Sequence, residues 1–160
     1  MGATLRVYHR AGGGATSRIR AIASSEQKGY PAGFAFDHRT TAWNSGGTGA
    51  KTVGQWIGAD FGDGTPHAVT TVRIQWIYGA ATPEAIRVEH SDNGRNWTTA
   101  GRFDVKAYPQ SEPNFRVDEF RLSEPGKHRY WRIAADRNNQ ENGFGVAEVL
   151  FDGGATNDRN

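Results

Sequence analysis

The sequence of 160 residues contains no cysteine. Without cysteine there is neither a disulfide framework nor thiolate chemistry. Secreted eukaryotic modules of this size often carry at least one bridge, so the absence favours a bacterial or viral source. No stretch approaches the 18 apolar residues of a membrane span, and no charged segment followed by an apolar one opens the chain. The sequence therefore predicts a soluble domain without a signal peptide.

Familiar catalytic signatures are absent as well. The chain has no Gly-x-Ser-x-Gly elbow, no His-Glu-x-x-His pair and no glycine-rich phosphate loop. A glycosidase needs only two carboxylates at a suitable separation, but a small sandwich rarely carries its own cleft. These absences favour a non-catalytic binding module over an enzyme.

Basic residues exceed acidic residues only slightly, and the formal net charge is +2. The basic residues are 15 Arg and 4 Lys scattered along the chain, whereas a nucleic-acid-binding domain gathers them on one stripe. No nucleic-acid partner is therefore expected. Apolar runs of helical period are few, while 21 glycines and 11% aromatic residues fit short strands joined by polar turns.

Alternation of apolar and polar residues predicts an all-β fold of eight or nine strands. Strands are predicted over 55–61, 69–77, 86–91, 115–122, 130–135 and 145–151, with Trp97 on the return strand of a hairpin at 92–94 and Glu124-Pro125-Gly126 separating two strands. No helix longer than one turn is expected. This layout indicates an antiparallel β-sandwich or jelly roll. All five tryptophans, Trp43, Trp56, Trp76, Trp97 and Trp131, are predicted to be core residues.

One domain is expected at this length. Gly12-Gly13-Gly14 interrupts the pattern, so residues 1–17 are interpreted as an extension or edge strand. The sandwich is predicted over residues 18–153, and residues 154–160 as a flexible tail.

Two carboxylates lie in apolar surroundings near opposite ends of the chain. Asp37 follows two aromatic residues, and Glu148 interrupts a predicted strand. An uncompensated buried carboxylate is strongly destabilising, so each needs a cation, an arginine or several donors. The two are therefore predicted to share one positive partner that ties the ends of the chain together.

Eight segments together resemble the discoidin domain, also called the coagulation-factor type C domain, and especially the bacterial family 32 carbohydrate-binding modules. The segments are ASSE at 23–26, YPA at 30–32, AFD at 35–37, TAWNS at 41–45, QWIGADFG at 55–62, HSDNGRNW at 90–97, RYWRI at 129–133 and GVAEV at 145–149. They occur in the family's order and cover residues 19–153. The resemblance implies an eight-stranded jelly roll of the galactose-binding-domain type, with ligand loops at one end.

The resemblance also implies a structural calcium ion. Its ligands would be side-chain oxygens of Asp37, Thr41 and Glu148 and backbone carbonyls of Phe34, Arg39 and Ala147, a set of hard oxygens that suits Ca²⁺. The chain departs from the family in having His38 where glycine is usual, and in a shorter spacing between Asp37 and Thr41. The alternative is that an arginine, Arg39 or Arg132, pairs with one of the carboxylates.

Sugar binding needs an aromatic platform flanked by hydrogen-bonding side chains. Four loops are expected to gather at one end of the sandwich: 27–30, 44–51, 78–84 and 136–144. The predicted ligand residues are the aromatics Tyr30, Tyr78 and Phe144 and the polar residues Asn44, Arg137 and Asn142, with His38 as a further candidate. For each there is an ordinary structural explanation: a loop Asn bonds its own backbone, and Phe144 closes the core.

The first functional hypothesis is a lectin-like module for cell-surface glycans or polysaccharides. Single sites of this kind are weak, so a homo-oligomer or a larger multidomain protein is expected. The location would be extracellular, at a cell surface or on a virion. The alternative is a protein-interaction or adhesion module of such an assembly. Membrane insertion is not expected, because the loops carry few apolar residues.

Overall fold

The computed structural model describes residues 19–39, 41–46, 53–107, 115–137 and 143–153. Within these ranges the chain forms ten strands: β1 Arg20–Ala23, β2 Trp43–Asn44, β3 Trp56–Asp60, β4 His67–Gln75, β5 Ala85–Ser91, β6 Thr98–Asp104, β7 Val117–His128, β8 Tyr130–Arg137, β9 Gly145–Val146 and β10 Glu148–Asp152. Two 3₁₀ helices span Ala32–Phe36 and Gly79–Ala81. The predicted extension at 1–17 and tail at 154–160 lie outside the described residues.

The strands form two main antiparallel sheets. A five-stranded sheet has the order β1-β3-β8-β5-β6, and a three-stranded sheet has the order β10-β4-β7. The short strands β2 and β9 pair with each other. Eight longer strands in two layers, with most neighbours in each sheet distant in sequence, confirm the predicted eight-stranded jelly roll.

The core lies between the two sheets, where alternate residues of each strand turn inward. Ile57, Ile133 and Val88 are fully buried on the five-stranded sheet, and Ile74 and Val149 are fully buried on the three-stranded sheet. The largest side chains of the core are Trp43, Trp76, Trp131, Phe36, Phe144 and Phe151. Burying these rings stabilises the layers by about 25 cal/mol for each Å² of apolar surface removed from water.

The sandwich has two different ends. We call one the hairpin end: it holds the β3–β4 turn at 61–66, the β5–β6 connection at 92–97 and the β7–β8 corner at 129. We call the other the loop end: it holds segments 24–31, 44–46, 53–55, 76–84 and 143–147. Strand β1 begins and β10 ends toward the hairpin end, because Arg20 pairs with Asp60 and Asp152 pairs with Thr71.

Two strand predictions need correction. Strand β7 continues through the segment at 124–126 that was predicted to separate two strands. Pro125 is tolerated because β7 is an edge strand, and the β4–β7 register shifts between Val69 and Thr71. The single strand predicted over 145–151 is divided in two, since β9 pairs with β2 whereas β10 pairs with β4.

Two of the tryptophans predicted to be core residues lie on the outer face of the five-stranded sheet. Trp56 and Trp97 are partly exposed, with ring centroids 6.0 Å apart. The guanidinium carbon of Arg132 lies 3.8 Å from the Trp97 ring centroid and 4.8 Å from that of Trp56. Alternation along β3 and β8 sends Trp56 and Arg132 outward while Ile57 and Trp131 turn inward. The other three tryptophans are buried as predicted.

Candidate binding face and acidic pair

The loop end is a set of segments tied together by hydrogen bonds. The Gln27 backbone N–H donates to Asn44 O over 2.8 Å, and the Ser25 hydroxyl donates to Ser45 O over 2.5 Å. The Ser24 hydroxyl donates to Gln55 Oε1 over 2.6 Å. Segments 24–31, 44–46 and 53–55 are therefore held as one surface, while residues 47–51 and 138–142 of the predicted loops lie outside the described residues.

Phe144 lies beneath this surface and not on it. Its side chain has no exposed area and meets Trp43 edge to face, with ring centroids 5.2 Å apart. Ser45 fixes it from both sides, because Ser45 N–H donates to Phe144 O and Phe144 N–H donates to Ser45 Oγ. A buried ring offers no face to a sugar, so the predicted platform role does not fit Phe144. It closes the core, which was the stated alternative.

Asn44 is likewise a structural residue in its contacts. Its side chain is 6% exposed, and Oδ1 accepts a 3.0 Å hydrogen bond from Gly46 N–H. A Cβ added to Gly145 would lie 3.1 Å from Asn44 Nδ2 and 3.2 Å from Ile77 Cδ1. Glycine at 145 therefore lets β9 approach β2 and the start of the 76–84 segment closely.

The remaining predicted ligand residues differ in their exposure. Tyr30 is 44% exposed, next to the Gln27–Tyr30 β-bridge that fixes its loop. Tyr78 is partly buried at the start of its 3₁₀ helix. Arg137 is exposed, and its Nη2 donates to Asp104 Oδ1 over 2.6 Å. Asn142 lies outside the described residues, so its role stays a prediction.

The structure brings the two ends of the chain together at Asp37 and Glu148. The His38 backbone N–H donates to Glu148 Oε2 over 3.1 Å. Asp37 is held in place by the Thr41 hydroxyl, which donates to Oδ2 over 2.6 Å, and by Arg39 N–H, which donates to Oδ1 over 3.0 Å. Glu148 begins β10 beside the preceding Ala147, whose N–H donates to Gln75 O.

Glu148 is a carboxylate without adequate compensation. Burial raises its pKa to about 8, with the negative charge of Asp37 adding to the rise and the hydrogen bond from His38 N–H opposing it. Oε1 is buried and lacks a hydrogen-bond partner, although His38 Nδ1 lies 3.3 Å away outside hydrogen-bonding geometry. This orphaned oxygen, next to a second carboxylate, suits a cation at the predicted position.

The arginine alternative receives no support from the contacts of the two named arginines. Arg132 Nε donates to Glu89 Oε1 over 3.0 Å, on the outer face of the five-stranded sheet. Arg39 reaches Asp37 through its backbone N–H. The described ranges contain no cluster of three or more His, Asp or Glu residues able to hold a metal. A cation here would therefore need backbone carbonyls, such as those predicted at Phe34, Arg39 and Ala147.

His38 occupies a backbone position that favours glycine. Its φ of 57° lies in the left-handed region, where few non-glycine residues are found. The resemblance gave glycine as the usual residue here, so the loop keeps a glycine-like backbone despite the substitution. The exposed His38 ring turns toward the acidic pair and not toward Tyr30's loop.

Sequence reasoning missed the other major acidic site, at the hairpin end. Asp60 accepts a 2.8 Å hydrogen bond from Arg129 Nε, and Gly62 N–H donates to it over 2.9 Å. Burial acts to raise the pKa of Asp60, but the bonds from Arg129 and Gly62 and the charges of Arg129 and Arg20 outweigh it and leave the pKa lowered. The signal was an Asp at a strand end, with its arginine 69 residues away.

The described part of the chain contains no helix long and apolar enough to cross a membrane.

Comparison with known proteins agrees with the architecture. A family 32 carbohydrate-binding module of Clostridium perfringens NanJ, solved with galactose, has a TM-score of 0.64 at 19% identity, covering 82% of this chain and 90% of its own. Chitosan-binding module 1 of a Paenibacillus sp. IK-5 chitosanase/glucanase is 26% identical, with a TM-score of 0.60 and coverage of 81% and 90%. A third module, from a C. perfringens family 31 glycoside hydrolase, has a TM-score of 0.67 at 17% identity, with coverage of 82% and 88%. 

The search of curated proteins found no match. The sequence model of the F5/8 type C domain matches residues 20–150, which is most of the chain and includes both acidic residues at 37 and 148. This match confirms the resemblance drawn from the eight segments, and the chain belongs to the F5/8 type C domain family.

Proposed function

We propose that this protein is a non-catalytic carbohydrate-binding module that binds a glycan or polysaccharide through its loop end. The observation that carries the proposal is the construction of that end. Separate segments are fastened into one surface over a floor of buried aromatic rings, while Tyr30 stays exposed above it. A fixed surface of polar loops with one free aromatic ring is what a weak, shallow sugar site requires.

The relatives support the ligand class. The NanJ module was solved with galactose, another C. perfringens module with GalNAc-β-1,3-galactose, and a second Paenibacillus module with chitotriose. The module of AlyQ was solved with an unsaturated mannuronic acid. These ligands differ in charge and in linkage, so they support saccharide binding as a class and leave the sugar to be determined.

Tyr30 is the residue we propose as the stacking platform. Its exposed ring can cover the C–H face of a sugar, while Phe144 supports the loops from below. Glycan-array screening should find a ligand for the wild type. Tyr30→Ala should weaken binding of that ligand at least about tenfold, which corresponds to about 1.4 kcal/mol of lost stacking.

Two variants serve as controls for this test. Tyr30→Trp keeps an aromatic face and should retain binding. Arg95→Ala alters an exposed residue at the opposite end and should bind like the wild type. Unchanged affinity in Tyr30→Ala, or no binding across plant, bacterial and animal glycans, would contradict the proposal. In the latter case the protein-interaction or adhesion alternative would be preferred.

We further propose that a calcium ion joins Asp37 to Glu148. The fit rests on the buried, unpartnered Glu148 Oε1 and on the mutual repulsion of two neighbouring carboxylates. Thr41 and the carbonyls of Phe34, Arg39 and Ala147 would complete the shell. The ion would be structural, because it would fasten β10 to the loop after the first 3₁₀ helix.

The setting follows from the ligand class. A glycan partner places the module outside the cell, at a cell surface or on a virion. Weak single sites gain strength from repetition, so we propose that it acts within a multidomain protein or a homo-oligomer. We propose no catalytic role for its carboxylates.

A further inference from the structure

Three histidines from three strands lie at the hairpin end, opposite the loop end that carries the proposed sugar site. The rings of His90 on β5 and His128 on β7 stack face to face, with centroids 3.5 Å apart and planes inclined by 1°. Both meet the Trp131 ring edge to face, at 5.2 and 5.5 Å. His67 on β4 lies opposite His128 in the strand register, and its ring stacks on Phe61.

The stack can carry one positive charge, whereas two charged rings this close would repel each other. His128 Nδ1 lies 3.0 Å from Asp92 Oδ1, so a proton on His128 has a carboxylate beside it. A second proton on His90 would put two charged rings face to face. Burial lowers the pKa of His90 below the ordinary 6.5, and the charge of His128 lowers it further, whereas Asp92 and Glu124 act in the opposite direction.

The same contacts hold down the connection between β5 and β6, which we call the tip (residues 92–97). Asp92 begins the tip and bonds to His128 across the gap to β7. Gly94 has a positive φ and lies against the Tyr130 ring, since an added Cβ would be 3.2 Å from Tyr130 Cζ. Trp97 meets Tyr130 edge to face at 6.2 Å. The tip thus rests on the β7–β8 corner.

We propose that the His90–His128 stack is an acid-sensitive latch, which holds the tip on Tyr130 at neutral pH and releases it when His90 takes up a proton. No ligand or metal is required. The charged groups that act on His90 are His128, Asp92 and Glu124, and Arg129 at the same corner is engaged by Asp60.

The sign of the effect follows from proton uptake. In the closed state His90 binds a proton less readily than in the open state, where its pKa is ordinary. The latch is therefore fully closed well above pH 6.5, is weakened as the pH falls through 6.5, and stops changing below the closed-state pKa. Each pKa unit between the two states shifts the opening equilibrium about tenfold.

The test is an NMR titration of the labelled domain from pH 8 to pH 5. The ring current of Tyr130 should displace the Gly94 Hα resonance at neutral pH, and a cross-peak should join the two residues. Both signals should fade in the wild type with a midpoint below 6.5. His90→Phe keeps an aromatic stack without a proton site, so its signals should persist to pH 5.

Asp92→Asn should have the opposite effect. It removes a charge that raises the pKa of His90 in the closed state, so the difference from the open state widens and release should move to higher pH. The proposal is wrong if His90→Phe loses the Gly94 signals at the wild-type midpoint, or if the wild type keeps them at pH 5. If His90→Phe does not fold, the wild-type His90 ring carbon decides: an ordinary titration with Gly94 unchanged overturns the latch.

Discussion

The two ends of the sandwich each contain a carboxylate that folding removes from water, and they treat it in opposite ways. At the hairpin end, Asp60 is matched by Arg129, Arg20 and the Gly62 N–H, and its pKa is lowered. At the loop end, Glu148 has one backbone donor, a like charge nearby and an unpartnered oxygen, and its pKa rises to about 8.

The comparison shows which of the two buried carboxylates is compensated by groups of the protein itself. A buried carboxylate with matched donors supports folding, whereas one without them costs free energy until a cation arrives. The hairpin end therefore needs nothing from solution for its acidic residue. Glu148 at the loop end has to take up a proton or, as proposed above, a cation.

The largest expected effect on stability comes from removing the ion pair between Asp60 and Arg129. Asp60→Asn keeps the shape and the Gly62 bond but leaves Arg129 without its carboxylate. The free energy of unfolding should fall by about 2 to 3 kcal/mol, less than for a fully buried pair because Arg129 is partly exposed. Urea denaturation measures the change.

Asp63→Asn is the matched control. Asp63 lies 3.7 Å from Arg129 Nη1 but its side chain is 98% exposed, so the change should stay within about 0.5 kcal/mol. Equal losses of stability in the two variants would show that the burial of Asp60 does not make its ion pair with Arg129 stronger than that of the exposed Asp63.

Calcium bound between Asp37 and Glu148 should raise the free energy of unfolding. At a hundred times its Kd, an ion bound only by the folded state adds about 2.7 kcal/mol, equivalent to roughly 5–10 °C in the melting temperature of a domain this size. Differential scanning calorimetry with calcium and with chelator measures it. Glu148→Gln should abolish the response. An unchanged wild-type melt would mean that Glu148 is buried without a metal.

Lowering the pH should remove the contribution of Asp60 to the free energy of unfolding. Because its folded-state pKa lies below the ordinary value of 3.8, the stability it supplies is present above that pH and is lost as pH falls through the folded-state pKa. The difference between wild type and Asp60→Asn should thus narrow as the pH falls below 3.8, when denaturation is repeated in acid. A constant difference would assign the effect of the substitution to packing.

The smallest effect is expected at His38. His38→Gly should change the free energy of unfolding by less than about 0.5 kcal/mol, because the His38 side chain is exposed and relief at φ 57° offsets the freedom of an unfolded glycine. The backbone N–H that bonds Glu148 remains. A loss above about 1.5 kcal/mol in denaturant titration would mean that the His38 ring pairs with Glu148 as Arg129 pairs with Asp60.

Strand positions followed closely from sequence where alternation was strong. The predicted strands at 69–77 and 86–91 agree with β4 and β5 to within two residues, because apolar and polar residues alternate along each segment. Strand β1 was missed, since four residues carry too little pattern. The break between β9 and β10 was also missed, because the change of partner at Ala147 depends on tertiary pairing.

The candidate site was harder to predict than the fold. The resemblance placed Asp37 and Glu148 side by side, and the structure does the same. Local sequence could not show that Phe144 faces inward, because its direction depends on Trp43 and Ser45, which lie about a hundred positions earlier. Trp97 was misassigned for a similar reason: its partner Arg132 comes from another strand.

The course of the first and last long strands has a practical consequence. Strand β1 begins and strand β10 ends toward the hairpin end, opposite the loops that carry Tyr30. An affinity tag, a linker or a biosensor surface attached at either position should therefore present Tyr30 outward, so tethering is expected to leave glycan capture unobstructed.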